Sequence, residues 1–169
     1  MVESVTNAVT GGETAPQSAV DLLKADHRKV ETLFEKVKAN EDGDNTETFN
    51  LIRRELIMHT HIEETIFYPY LLQNGDEELQ KLTREAIEEH RQAKMFIEEL
   101  SSMSGNRESF PAKLKVLIED VEHHVQEEEG EMFPMVEDQF GEDKLNRLGA
   151  EMEAEKARAK GNAARSVSA

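Results

Sequence analysis

Several residue types that stabilise small folds or hold cofactors are missing or scarce in this chain. It has 169 residues but no Cys and no Trp, only 4 Pro, and 5% aromatic residues. The absence of Cys excludes disulfides, iron–sulfur clusters and thiolate zinc sites. No apolar run is long enough to span a bilayer. Residues 1–15 lack the basic and apolar regions of a secretory signal. We therefore expect a cytoplasmic protein.

Basic residues are also scarce relative to acidic ones. The chain has 20 Lys and Arg against 36 Asp and Glu, which gives a formal net charge of -16. This charge opposes binding to nucleic acid or to anionic membranes. The abundance of Glu, Lys, Leu and Ala favours helix, and the length suits one domain with a sizeable core.

Turn-forming residues divide the chain into helical segments. Helices are predicted over 18–39 and 46–72, from the Asn74-Gly75-Asp76 turn to about 102, and over 109–139 and 142–160. Because short loops join long helices, the predicted fold class is all-α. We expect an up-down-up-down antiparallel four-helix bundle with an additional C-terminal helix. The expected organisation is a disordered tail over 1–17, the bundle over 18–139, the extra helix over 140–160 and a flexible tail over 161–169.

One pattern of potential metal ligands occurs twice. A lone His on one helix is followed, on the next helix, by a His-x-x-x-Glu pair. Each of these residues falls at a central position of an otherwise apolar helical stripe. An unpaired buried carboxylate is costly, and a metal ion removes that cost by accepting its lone pairs. The pattern therefore predicts a site for two transition-metal ions, held by His27, His59, Glu63, His90, His124 and Glu128.

Neighbouring residues leave alternatives open. His61 lies about 200° around the helix from His59, so we expect it to face solvent. His123 and Glu127 form a competing pair one residue earlier, and Glu129 is an alternative to Glu128. A His on an apolar stripe is also commonly a hydrogen-bonded core residue. The alternative interpretation is therefore a purely structural helical bundle without a metal site. Tyr68 is expected to be a packing residue, with contact to the metal site as the less favoured alternative. Nothing in the sequence indicates a large substrate pocket.

At these residues the chain resembles the hemerythrin-like, or HHE cation-binding, family. The resemblance covers about Ala19 to Asp138 and rests on two motifs, His59-x-x-x-Glu63-Glu64 with Phe67-Tyr68-Pro69 and His124-x-x-x-Glu128-Glu129 with Phe133-Pro134. It implies a four-helix bundle with two iron ions in an oxo- or hydroxo-bridged centre. It also implies that the six residues above are the ligands and that both Glu bridge. Manganese and zinc are alternatives, since imidazole and carboxylate suit all three metals.

Two departures from the oxygen carriers of that family bear on function. Lys94 and Ala86 stand where a second His beside His90 is expected, and Glu129 replaces an Asp. The chain thus resembles the branch with four His and two Glu, which leaves a coordination position for a small ligand. The resemblance implies a protein that binds or reacts with O₂, H₂O₂ or NO, with catalase-like or NO- or O₂-reducing activity as the enzymatic form. The alternatives are a sensor or O₂-binding module without turnover, and an iron–sulfur-cluster repair protein, whose usual Cys-bearing segment is lacking here. We expect a small diatomic or peroxide ligand and no nucleic-acid or membrane partner, and the sequence names no protein partner.

Overall fold

The computed structural model describes residues 17–103 and 108–167, with side chains up to residue 162. All regular structure in these ranges is helical, which confirms the predicted fold class. The elements are α1 (Ala19–Ala39), α2 (Thr46–Ile62), π1 (Glu63–Phe67), α3 (Tyr68–Asn74), α4 (Glu77–Ser102), α5 (Phe110–Glu127), π2 (Glu128–Met132), α6 (Phe133–Phe140) and α7 (Glu142–Val167). The tail predicted before Gln17 and most of the loop predicted around Gly105 lie outside the described residues.

Side-chain caps fix where the helices begin. The Ser18 hydroxyl accepts a hydrogen bond from the Asp21 N–H, and the Asp76 carboxylate accepts one from the Leu79 N–H, at 3.1 and 2.9 Å. Each cap satisfies a backbone donor that the first helical turn leaves free. Gly141, with φ 71°, separates α6 from α7 in a conformation that favours glycine. The short connections between contacting helices make neighbouring helices antiparallel.

Four long rods form the bundle: α1, α2–π1–α3, α4 and α5–π2–α6. Two of them contain a π-helical turn, which the sequence did not predict. In π1 the Tyr68 N–H donates to the Glu63 carbonyl, and in π2 the Phe133 N–H donates to the Glu128 carbonyl. Each π-helical turn accommodates one residue more than a regular helical turn, and it begins at a predicted ligand, Glu63 or Glu128. All residues beyond them are therefore rotated relative to a regular helix.

The core consists of two hydrophobic clusters, and the predicted ligands lie between them. The first cluster includes Leu23, Phe67, Tyr68 and Phe133, together with residues of α7. The second cluster lies toward the opposite end of the bundle. Its members are Val30, Phe34, Val37, Phe49, Ile52, Leu56, Ile97, Leu100, Leu114, Leu117, Ile118, Val121 and Val125. The ligand cluster is therefore enclosed by apolar side chains on both sides.

Helix α7 packs on the outside of the bundle, against α1, α2, π1 and α6. Its buried residues are Leu145, Leu148 and Met152, as its apolar positions predict. Gly149 lies so close to the start of α1 that a Cβ atom there would meet backbone atoms of residues 17–19. The helix continues to Val167, beyond the end expected at Lys160. No described helix is long and apolar enough to cross a membrane.

Candidate metal centre

The structure brings all six predicted ligands into one buried cluster. Each of these residues is at most 6% exposed. The Nε2 atoms of His27 and His59, from α1 and α2, lie 3.2 Å apart. The Nε2 atoms of His90 and His124, from α4 and α5, lie 3.1 Å apart. The cluster therefore contains two His pairs, one from each helical hairpin.

Glu63 and Glu128 lie between the two His pairs. Glu63 Oε2 is 3.2 Å from His59 Nε2 and 3.3 Å from His90 Nε2. Glu128 Oε2 is 3.2 Å from His27 Nε2 and 3.5 Å from His124 Nε2. Each carboxylate thus contacts one His of each pair. This is the placement that a ligand bridging two ions requires.

Carboxylates of the opposite hairpin hold the rings of the two lone His residues. The Nδ1–H of His27 donates to Glu129 Oε1 at 2.7 Å, and the Nδ1–H of His90 donates to Glu64 Oε1 at 3.1 Å. Glu64 and Glu129 are the residues that directly follow the two buried Glu. A hydrogen bond from Nδ1 fixes the tautomer of the ring and leaves the Nε2 lone pair for a metal ion.

Carboxylates of the same hairpin lie behind the other two His residues. The Nδ1–H of His124 donates to Glu89 Oε2 at 2.6 Å. Asp26 Oδ2 lies 3.6 Å from His59 Nδ1, which is too long for a hydrogen bond, and it accepts one from Lys156 at 2.5 Å. Asp26 and Glu89 directly precede the two lone His. The arrangement around the cluster therefore repeats between the two hairpins.

The inward-facing atoms have lone pairs without partners. The Nδ1 atoms of His90 and His124 face carboxylates outside the cluster, and their Nε2 atoms face each other at 3.1 Å. Both Glu63 oxygens and Glu128 Oε2 have no hydrogen-bond partner of acceptable geometry among the described residues. Such groups are costly in a core unless a cation accepts their lone pairs. The donor set of imidazole and carboxylate therefore fits metal ions of the iron, manganese and zinc class.

The pKa values of the two buried carboxylates are shifted in opposite directions. Burial and the charge of Glu128 raise the pKa of Glu63 well above its ordinary value. Burial also acts to raise the pKa of Glu128, but the neighbouring His124 and His27 rings outweigh it and lower that pKa. The side chains by themselves thus keep only one carboxylate ionised. Two metal ions would stabilise both as anions.

The histidines respond to their different surroundings. Burial lowers the pKa of His59 to about 4, so this ring is neutral at pH 7 and its lone pair is available. Burial also acts to lower the pKa of His27 and His124, but nearby carboxylates, chiefly Glu128, raise both values overall. Metal binding at these two rings must therefore displace protons, which makes affinity fall as the solution becomes more acidic.

Tyr68 reaches the cluster, contrary to the favoured expectation that it only packs. Its side chain is fully buried, and its hydroxyl donates to Glu128 Oε1 at 2.7 Å and lies 3.3 Å from His90 Nε2. Burial and the charge of Glu128 raise its pKa well above the ordinary value, so it stays protonated. The π1 turn explains the error, because the extra residue in this turn rotates Tyr68 inward. Phe133 is the equivalent residue after π2, and it stacks on His27 with ring centroids 5.8 Å apart.

The alternative ligands lie outside the buried cluster. His61 is partly exposed and contacts Glu155 of α7 at 2.6 Å. His123 is 65% exposed and contacts Glu127 at 3.2 Å on the surface, so the His124 register is the buried one. Glu129 contacts the outer nitrogen of His27 and therefore supports that ring from behind, while Glu128 occupies the centre.

A cavity of about 180 Å³ adjoins the four buried histidines. From their rings it extends toward the second core cluster, between α1, α2, α4 and α5. Polar residues, among them Gln92 and Asp120, surround its outer end. This space could not be predicted from the sequence, because it depends on how side chains from four helices pack together.

Comparison with known proteins settles the family. The family model described as the hemerythrin HHE cation-binding domain matches residues 18–136. The chain belongs to this family. Membership in the hemerythrin HHE family implies metal binding, and the buried His/Glu cluster is the candidate site.

Two relatives share most of this hemerythrin-like chain. A Nostoc protein named as a DNA nickase is 26% identical over 160 residues, covering 92% of this chain and 44% of its own. An uncharacterized hemerythrin-like protein of Schizosaccharomyces pombe is 28% identical over 137 residues, covering 80% of this chain and 68% of its own. The chain thus spans less than half the length of the Nostoc relative. No solved structure matches the chain.

Sequence reasoning missed the outer carboxylates of this hemerythrin-like site, although a signal was present. Asp26 and Glu89 occupy the same place before each lone His, and Glu64 and Glu129 occupy the same place after each buried Glu. Acidic residues repeated at fixed offsets from metal-binding His are typical of partners for the outer ring nitrogen. Tyr68 was also missed, and it had no such signal. The residue at the matching place in the second motif is Phe133, so the hydroxyl is not repeated.

Proposed function

We propose that this hemerythrin-like chain is a non-haem di-iron protein that binds or reacts with a small oxidant, with peroxide scavenging as the first candidate. The observation that supports this most is the buried cluster, in which both Glu63 oxygens and Glu128 Oε2 have no hydrogen-bond partner among the described residues. Four His Nε2 atoms and two carboxylates converge in it, and each carboxylate touches both His pairs. Manganese or zinc would satisfy the same groups, so iron rests on the family.

Iron held at this site would supply one-electron redox steps and a coordination position for a small ligand. Such a position is expected beside His90, since no second His accompanies it. Lys94 does not fill the position, because its ammonium lies 2.6 Å from both oxygens of Glu64. Ala86 is buried and has no donor atom to offer. The side chains at this edge thus leave the ring of His90 with space beside it.

Residues around the cluster control protons and water. The Tyr68 hydroxyl holds a proton 2.7 Å from Glu128 Oε1 and is the nearest buried O–H donor to the cluster. It can donate a hydrogen bond, or a proton, to a ligand that takes up negative charge. The apolar clusters on both sides limit water, which strengthens each of these interactions.

The test is a comparison of ligand binding and turnover by the iron-loaded chain. We expect ferric protein to bind azide with a new charge-transfer band and to evolve O₂ from H₂O₂. If azide binds without O₂ evolution, a sensor or O₂-binding module without turnover becomes the better assignment. Failure to bind azide and to react with O₂, NO or H₂O₂ would contradict the proposal. Iron–sulfur repair is the weaker alternative, since the chain has no Cys to accept or pass on a cluster.

A further inference from the structure

The cavity beside the four histidines has a lining that is apolar in part. Six apolar side chains, contributed by four different helices, line it beyond the His rings: Val30, Leu56, Ala93, Ile97, Val121 and Val125. Polar and charged residues line it as well, namely Asp26, Glu55, Thr60, Glu89, Gln92, Lys94, Asp120 and His123. Ala93 and Val121 each lie three residues from a buried His, on the same helical face. The two central carboxylates and Tyr68 are not among the residues that line the cavity. A ligand in this space therefore meets imidazole and a cluster of six apolar side chains, with polar groups also within the lining.

The cavity is larger than a diatomic molecule or H₂O₂ requires. An apolar protein cavity of about 150 Å³ stays dry and binds benzene. The cavity here has a volume of about 180 Å³. A two-atom oxidant would leave most of it unfilled, and the apolar part of the lining offers few hydrogen bonds to water in the remainder. The size and the lining suit a compact hydrocarbon group attached to a polar head.

At its outer end the cavity meets solvent between α4 and α5. The Gln92 side chain donates to Asp120 across these helices at 2.7 Å, and both residues line the cavity. Gln92 is exposed and Asp120 is half-buried, so this hydrogen bond lies at the surface, where water competes for it. An organic molecule of this size thus has an entrance that opens when one surface contact separates.

We propose that the cavity binds the hydrocarbon part of a small organic hydroperoxide, with the peroxide group directed toward the four histidines. This inference rests on the proposed function and specifies its substrate class. Reduction of such a peroxide breaks the O–O bond, takes up two electrons and two protons, and gives an alcohol and water. Two ferrous ions held by the His/Glu cluster would supply the two electrons, one from each ion.

A binding experiment tests the cavity without any turnover. The probe is benzene, and the protein is the full chain, as purified and again after loading with redox-inert zinc. Saturation-transfer NMR should detect bound benzene, and the methyl signals of Val30 and Val121 should shift on titration. Absence of binding to both forms would overturn the proposal.

A filled-cavity variant locates the binding. Ala93→Leu adds three carbons to a half-buried position that lines the cavity. Ala154→Leu makes the same change on the exposed surface of α7 and is the matched control. We expect A93L to weaken benzene binding by about tenfold or more, because the added carbons occupy space that benzene would otherwise fill and so reduce the apolar surface it buries, and A154L to leave it unchanged. If A93L does not fold, Ala93→Val makes a smaller change in the same direction. Equal binding by the folded Ala93 variant and the control would contradict the proposal.

Turnover then separates this inference from the proposed function. The iron-loaded chain is mixed with tert-butyl hydroperoxide, which has as many non-hydrogen atoms as benzene, and with H₂O₂. We expect A93L to lower the rate with the organic peroxide by a larger factor than the rate with H₂O₂. Equal slowing of both reactions would overturn the inference and leave the proposed function standing. If neither peroxide reacts with the unmodified chain, the proposed function fails, and the binding experiment still decides what the cavity accepts.

Discussion

The Tyr68 hydroxyl offers the sharpest test of the geometry around the cluster. Tyr68→Phe removes one oxygen and leaves the ring, and it reproduces the residue found at the equivalent place after π2, Phe133. The lost interaction is the 2.7 Å hydrogen bond to Glu128 Oε1. A hydrogen bond to a charged group contributes about 1.5–3 kcal/mol. Because Tyr68 is fully buried, water cannot replace the missing donor.

These values predict measurable shifts. For a chain of 169 residues, each kcal/mol moves Tm by about 2–4 °C, so Tm should fall by about 3–12 °C. Glu128 also loses the contact that orients it, and changes of this kind weaken metal binding by about tenfold to a hundredfold. Calorimetry gives the first quantity, and competition with a chelator of known affinity gives the second.

Tyr70→Phe is the matched control. Tyr70 is partly buried and packs on Phe140, with ring centroids 5.0 Å apart, at the end of the bundle. The control should keep its Tm and its metal affinity. Equal effects of the two substitutions would show that the Tyr68 hydroxyl makes no special contact with Glu128, and would refute the assigned geometry.

Three further predictions concern the same cluster. His124→Ala should lose metal while His123→Ala keeps it, as measured by metal analysis after dialysis, and the reverse would shift the register of α5 by one residue. Glu129→Gln should weaken metal binding by about tenfold or more in a chelator competition, whereas Glu131→Gln, on the exposed face of π2, should not. Burial acts to raise the pKa of Asp26, but its partners lower it overall, below the ordinary 3.8. Its contribution to stability is therefore complete above about pH 4 and is lost as the pH falls further. Asp26→Asn should reduce the loss of unfolding free energy at acid pH, as measured by unfolding curves at several pH values. An unchanged loss would contradict the assignment.

The sequence predicted the centre of the bundle well, because regular helical periodicity holds up to each ligand. His59 and Glu63 are four residues apart on α2 and at its end, so they share one face, as they do in the structure. Continued beyond Glu63, the same three-or-four spacing predicts Ile66 and Tyr70 on the inner face. The structure instead buries Phe67, Tyr68 and Leu71 completely. The extra residue of a π-helical turn changes which of the following residues face the core, and no local residue pattern predicts such a turn.

The remaining differences arise from tertiary packing. The carboxylates behind the His rings were visible as repeated acidic residues, but their pairing across hairpins, as in Glu129 with His27, depends on how the rods are arranged. The cavity depends on the gaps that side chains such as Ala93 and Val121 leave between four helices. Helix α7 continues past Gly161, a residue that costs a helix only about 1 kcal/mol relative to Ala.

Metal stoichiometry tests the central claim most directly. The full chain is loaded anaerobically with Fe(II), passed through a desalting column and analysed for iron and protein. Because each Glu contacts both His pairs, the account predicts about two iron ions per chain, and oxidation should produce the near-UV absorption of a bridged ferric pair. A value of zero or one iron per chain would contradict a dinuclear centre.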